Sequence, residues 1–302
     1  MIYVTENEVA ENLTVKDLIP VMKDAFLKIR QDMASYATRN RLLLQNVMLS
    51  TMPAMMIKPN IAGLKTYITG KGKSFFVVLL FDLSEMRLKA VLEANKLGQL
   101  RTGAVPAMVS REIVKKKGIN FSLIGTGFQA ESQLAGIASV FHVREAKIYS
   151  RNREHVKNFV ESAQKIYDFP ITGMESASQC LENADIITCV TNTETPLFTS
   201  GDLPDSFHIN LVGGNVPMRR EVGDDVLDTS DLIILEDRRQ ALLESGEIMS
   251  YSKKNSGKFV EISDVLSNTE ILSNKKRTVL KTMGIGLEDI AAADYLLHKI
   301  SH

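Results

Sequence analysis

The sequence predicts an α/β protein of two domains: a doubly wound parallel sheet over residues 114–286, and an α+β domain formed by residues 1–113 with 287–302. Two observations carry this. From Asn120 onward, short apolar runs alternate with helical stretches; such alternation needs crossover connections, hence parallel strands covered on both faces. Before residue 114 the apolar runs are separated by Pro, Gly and Lys-rich turns, as in an antiparallel sheet.

Taken in order, Val15 to Asp32 carries apolar residues at 18, 19, 22, 26 and 29, the spacing of one helical face. "RLLLQNVMLSTMP", "AGLKTYITG" and "SFFVVLLFD" follow as strands. A helix is expected from Lys89 to Leu97 and, after Gly98, another from Thr102 to Lys116. The second domain then reads "FSLIG", a helix to Phe141, "AKIYS", a helix to Ile166, "ADIITCV", "HINLVGG" and "DLIILED". The last segment, "TVLKTMGIGLEDIAAADYLLHKI", is a strand, a Gly turn and a helix that returns to the first domain.

Composition narrows the function. A chain of 302 residues can bury two cores, and 44% hydrophobic with 24% charged residues is a soluble globular balance. Equal numbers of basic and acidic residues, 36 of each, leave no net field for nucleic acid or an anionic membrane. Cys180 and Cys189 fit neither a disulfide framework nor a metal pair, which points to the cytoplasm, and the histidines show no metal spacing. The amino-terminal "MIYVTENEV" lacks the basic start and apolar core of a signal peptide.

The chemistry begins at "FSLIGTGFQAESQLAGIASV". Gly125, Gly127 and Ala130 form a GxGxxA turn between an apolar strand and a helix. The first Gly allows the tight turn, the second lets backbone approach a pyrophosphate, and the small third residue lets helix and strand pack. This makes the second domain Rossmann-type, with Thr126 and Gln129 also in the loop; without a ligand it would be a plain strand-to-helix turn. The next strand ends in Ser150, where an NAD site keeps an acid, followed by Arg151, Asn152 and Arg153. A hydroxyl and two guanidinium groups suit a 2′-phosphate, so NADP(H) is preferred, with NAD(H) the alternative.

Six stretches in order, "MPA" (52–54), "GLK" (63–65), "LRTGA" (100–104), "LIGTGFQAESQ" (123–133), "HINLVGG" (208–214) and "MGIGLEDIAAA" (283–293), resemble the ornithine cyclodeaminase and mu-crystallin family, which includes archaeal alanine dehydrogenases and cyclic imine reductases. The resemblance covers nearly the whole chain. It implies a homodimer built through the first domain's sheet, and a cleft holding a small amino or imino acid carboxylate against nicotinamide. Lys65, Arg101 and Arg39 look like the cations that hold the carboxylate, with Arg41 close enough to compete with Arg39. Thr102 looks like a phosphate contact. Val190, Thr191 and Asn192, with Val212 and Gly213, fall on the nicotinamide side, and Met283 and Gly284 near substrate and cofactor.

Two departures steer the activity. Ornithine-cleaving members keep an Asp after the glycine pair and a Glu three residues before the "MP" proline; this chain has Asn215 and Ser50. Asn can orient a nitrogen but cannot take up a proton near neutral pH. The expected function is therefore hydride transfer between nicotinamide and the Cα of a small amino acid or cyclic imine carboxylate, with Lys65 as proton donor and Asn215 orienting the nitrogen. Ornithine cyclisation to proline, and NADPH-dependent binding of a small molecule without turnover, are the alternatives. Asp289 is expected to cap or orient the last helix.

Overall fold

The computed structural model describes residues 1–301, and the chain divides into two compact units, Met1–Val105 with the carboxyl-terminal segment from Gly284, and Pro106–Met283. The first boundary falls inside a helix rather than at residue 113, and the second falls at 283/284 rather than 286.

The first unit opens with β1 (Ile2–Val4), α1 (Glu6–Asn12) and α2 (Val15–Arg30), the two helices started by capping boxes, Thr5 with Glu8 and Thr14 with Asp17. Helix α2 buries Leu18, Met22 and Phe26, the face its spacing predicts. Strands β2 (Ala34–Tyr36), β3 (Asn40–Leu44), β4 (Val47–Met56), β5 (Ile61–Gly70), β6 (Lys73–Asp82) and β7 (Arg87–Glu93) complete a sheet in the order β1-β7-β6-β5-β4-β2, with β3 also on β4. Every pairing is antiparallel except β1 with β7.

The helix expected from Lys89 to Leu97 is not there: its first half is strand β7. "RLKAVLE" is rich in good helix formers, but between β6 and β1 its Ala90 and Leu92 are buried in alternation, and sheet packing overrides propensity. A single helix, α3 (Asn95–Ile113), follows and runs through Gly98 without a break. Leu97, Leu100, Ala104, Ala107 and Met108 keep one buried face throughout, which outweighs the roughly 1 kcal/mol that an interior Gly costs.

The second unit holds β8 (Gly118–Ile124), α4 (Ala130–Val140), β9 (His142–Tyr149), α5 (Arg153–Gln164), β10 (Ile171–Gly173), α6 (Ala177–Leu181), β11 (Ile186–Cys189) and β12 (Phe207–Leu211). Then come α7 (Asp224–Thr229), β13 (Leu232–Leu235), α8 (Arg238–Glu244), α9 (Gly246–Tyr251), β14 (Phe259–Glu261), α10 (Ile262–Ser267) and β15 (Arg277–Lys281). The eight strands lie in the order β10-β9-β8-β11-β12-β15-β13-β14, and every neighbouring pair is parallel. β11, β12 and β13 are buried at every position, as strands covered on both faces must be. The order reverses between β8 and β11, so this is a Rossmann-type sheet whose ligand crevice is expected at the carboxyl ends of those strands. The chain then returns to the first unit as α11 (Gly286–Ile300), which packs on β4, β5 and β6 and buries eleven of its residues.

Candidate functional site

In the second unit the loop after β8 has the shape a pyrophosphate needs. Gly125 sits at φ +112, where a Cβ would lie 2.6 Å from the Val190 carbonyl oxygen, so only glycine fits. Two residues on, a Cβ at Gly127 would meet nothing within 4 Å: the space above it is open for backbone approach. Thr126 is half-buried beside it, and Ala130 is fully buried as the first residue of α4. Gln129 is the N-cap of α4 and its side chain does not bond the first-turn N–H groups, its Oε1 accepting instead from Ser132 Oγ at 3.3 Å. These features fit a dinucleotide.

At the end of β9, Ser150 is half-buried and Arg151 exposed. Asn152 is the amino-terminal cap of α5, accepting from His155 N at 3.1 Å, and Arg153 pairs with Glu175 at 2.5 Å. Of the four ribose-end candidates, Asn152 and Arg153 thus have structural partners, whereas Ser150 is half-buried and Arg151 exposed. The loops after β11 and β12 meet at one side chain. Glu221 accepts hydrogen bonds from Thr191 N (2.7 Å), Thr191 Oγ1 (2.9 Å) and Gly213 N (2.9 Å). Val190 N donates to Ile124 O and Val212 N to Cys189 O, extending the strands into these loops, while Asn192 is exposed. Asn215 lies half-buried two residues past Gly213, and Met283 N donates to Glu236 Oε2 at 2.8 Å.

The first unit gathers charge. β5 places Lys65 opposite Met52 on the face that α11 covers, and its Nζ lies 3.0 Å from Asp289 Oδ1. Arg101 Nε reaches the same oxygen at 3.2 Å, and Arg101 Nη1 lies 2.7 Å from Glu288 Oε2. Arg39 Nη2 donates to the Gly284 carbonyl at 3.1 Å, and at Gly284 (φ +79) a Cβ would lie 2.5 Å from the Arg101 guanidinium. That residue must be glycine for the two arginines to converge. Gly98 of α3 gives similar room, since a Cβ there would stand 2.9 Å from Lys65 Nζ. Arg39, rather than Arg41 in β3, is therefore the arginine placed at Gly284. Thr102, one residue after Arg101, donates its hydroxyl to the Gly98 carbonyl at 2.7 Å, so a phosphate contact would require that hydroxyl to turn.

Lys65, Arg101 and Arg39 thus meet here with the carboxylates of Asp289 and Glu288. Burial pushes the Lys65 ammonium down to about 8; Asp289 opposes the fall, while Arg101 and Arg39 add to it. Asp289 Oδ2 is buried with no hydrogen-bond partner, and so is Ser50 Oγ, on the same face of β4 as Met52. The arrangement sets two guanidinium groups beside a lysine whose pKa is lowered to about 8.

Residues 2–302 of this chain match the model of the ornithine cyclodeaminase/mu-crystallin family. The chain belongs to that family. It is 28% identical over 232 residues to a Delta(1)-pyrroline-2-carboxylate reductase of Bacillus cereus, covering 74% of this chain and 70% of the relative. It is 30% identical over 216 residues to the ketimine reductase mu-crystallin of Rattus norvegicus, covering 72% and 66%. Among solved structures, a probable ornithine cyclodeaminase from Bordetella pertussis Tohama I superposes with a TM-score of 0.93 at 25% identity, covering 100% of this chain and 97% of that one. Thermococcus litoralis Delta(1)-pyrroline-2-carboxylate reductase, solved with NADH and L-proline, superposes at 0.92 with 23% identity, covering 100% and 98%.

Sequence reasoning missed the acidic half of both clusters. Of the two expected roles of Asp289, capping or orienting α11, the capping contact comes instead from Glu288, which accepts from Ile285 N at 3.3 Å, while the Asp289 carboxylate ties α11 to Lys65 and Arg101. Glu221 sits in "MRREV", an ordinary solvated-loop composition that gives no sign of a fully buried carboxylate. Its one local signal is the apolar Val222 that follows.

Proposed function

We propose that the chain is an NAD(P)-dependent oxidoreductase that transfers hydride between nicotinamide and the Cα of a small amino acid or cyclic imine carboxylate. The observation that carries this is the Lys65 cluster: Lys65 and Arg101 on one Asp289 oxygen, Arg39 beside Arg101 at Gly284, and an ammonium whose pKa is lowered to about 8. Arg101 and Arg39 bind the α-carboxylate, Arg101 through the planar fork that suits it. When bound, nicotinamide supplies the hydride for reduction or accepts it for oxidation. In reduction Lys65 gives a proton to the imine nitrogen as the C=N π-bond opens, and Asp289 holds the ammonium in place beforehand. Asn215 orients that nitrogen. Ser50 and Asn215 stand where the ornithine-cleaving relatives keep carboxylates, and neither can take up a proton or carry a charge for a second amino group, which disfavours ornithine.

Ser150 and Arg151 support NADP(H) over NAD(H), since a hydroxyl and an exposed guanidinium can accept a 2′-phosphate that an acid would repel. A homodimer is supported by the face of the first unit's sheet opposite Lys65. Leu49, Ile68 and Phe75 pair in a row across β4, β5 and β6 and are 41%, 48% and 54% exposed, with Met55 and Phe81 on the same face. An apolar sheet face of this kind needs a partner. Sedimentation showing only monomer would remove the dimer. Two buried free thiols fit a reducing cytoplasm, checked by fractionation.

The function is tested by following NADPH and NADH with cyclic imine carboxylates, with pyruvate plus ammonia, and with ornithine. The expected result is oxidation with imines and a higher kcat/KM for NADPH. Ornithine consumption with ammonia release and no net change in cofactor would establish cyclisation instead. Tight NADPH binding without turnover of any substrate would establish a binding protein.

A further inference from the structure

Three fully buried ionisable side chains lie together in the second unit, and none of them belongs to the phosphate loop: Glu221, Glu247 and Lys281. Glu221 ties together two loops far apart in sequence, taking Thr191 N and Oγ1 on one oxygen and Gly213 N on the other. Its own backbone N donates to Glu247 Oε1 at 2.7 Å, and its carbonyl accepts from Leu197 N. Glu247 Oε2 in turn accepts from Ser245 Oγ at 2.8 Å and lies 3.7 Å from Lys281 Nζ. Three donors converge on Glu221, an arrangement that suits an ionised carboxylate, which only accepts. Burial pushes its pKa up, and the Lys281 ammonium opposes that rise.

The position of the tied loops decides what the tie is for. They follow β11 and β12, the strands beyond the reversal point at β8, and a Cβ at Gly125 would meet Thr191 Cγ2 at 3.1 Å. The dinucleotide crosses such a sheet with its adenosine half over β9 and its other half over β11 and β12. We propose that Glu221 is a positioning residue for the nicotinamide half of the cofactor: by clamping Thr191 to Gly213 it fixes the edge against which that half is placed, while leaving the adenosine half alone. This rests on the dinucleotide reading above.

The test compares two ligands by calorimetry on the full chain: NADPH, and adenosine 2′,5′-bisphosphate, which lacks the nicotinamide half. Glu221→Gln keeps the shape but turns an amide donor toward donors. NADPH binding should weaken at least about tenfold, the worth of one charge-assisted hydrogen bond, with bisphosphate binding unchanged. Thr191→Val, which removes one donor of the clamp and leaves Glu221 in place, should act in the same direction by a smaller factor; it keeps the test decisive if the buried Gln variant does not fold. Equal loss of both ligands in Thr191→Val would overturn the proposal in favour of a general structural role, and unchanged NADPH binding would overturn it outright. Wild-type protein that binds neither NADPH nor NADH would instead fail the dinucleotide reading itself.

Discussion

Each unit buries a lysine among carboxylates, yet the carboxylates of the two groups are committed to different partners. In the first, Lys65 and Arg101 share a single Asp289 oxygen, and Arg39 stands beside Arg101 at Gly284. In the second, Lys281 alone faces Glu221 and Glu247, and Glu221 is saturated by backbone and hydroxyl donors. Each cluster leaves a buried atom without a hydrogen-bond partner, Asp289 Oδ2 in the first and Lys281 Nζ in the second; in the second the carboxylates are committed to backbone N–H groups of loops, which they hold in place. The two clusters differ in what their carboxylates are committed to, side-chain cations in one and loop backbone in the other, and residue type alone does not reveal it.

The same substitution made in both places should therefore have different effects. Lys65→Met removes the proton donor, and turnover should fall by about 10³-fold, within the usual range for general acid catalysis, with NADPH affinity nearly intact. Arg101 still compensates Asp289, so the unfolding midpoint should move little. Retained turnover would take Lys65 out of the mechanism. Lys281→Met leaves two buried carboxylates without their cation and should lower stability by about 3 kcal/mol, typical of a broken buried pair, read as a drop in the denaturant midpoint. If Lys281→Met unfolds no more easily than Lys65→Met, the distinction between the two clusters is wrong.

How much of this was legible in the sequence follows the same division. The parallel sheet was legible because its strands are continuous apolar runs punctuated by glycine, and the phosphate loop because GxGxxA is local. Lys65 and Arg101 stand in short motifs with family parallels. Their partner Asp289 is 224 and 188 residues away from them in the chain, and nothing in "GLEDIAAA" separates a buried ion-pair partner from a helix cap. Strand β7 reads as a helix for a similar reason: "RLKAVLE" has helical propensities, and only its neighbours β6 and β1 make it a strand. Local pattern reports what a backbone turn demands; it does not carry the contacts that cancel one charge with another.

The smallest expected effect is also the most diagnostic of the first cluster. In the reductive direction Lys65 must be protonated, so the rate should hold below pH 8 and fall as pH rises through about 8. Asp289 raises the Lys65 pKa against burial and the two arginines, so Asp289→Asn removes the opposing influence and leaves the lowering ones. The alkaline fall should then move to lower pH by roughly one unit, the worth of one charge-assisted hydrogen bond. In the oxidative direction Lys65 must be neutral to take the proton, so the profile should rise through the same pH and shift the same way in the variant. A structural Asp289 would lower both rates without moving either midpoint. Mirror-image profiles that move together are expected only if the carboxylate tunes the acid that does the chemistry.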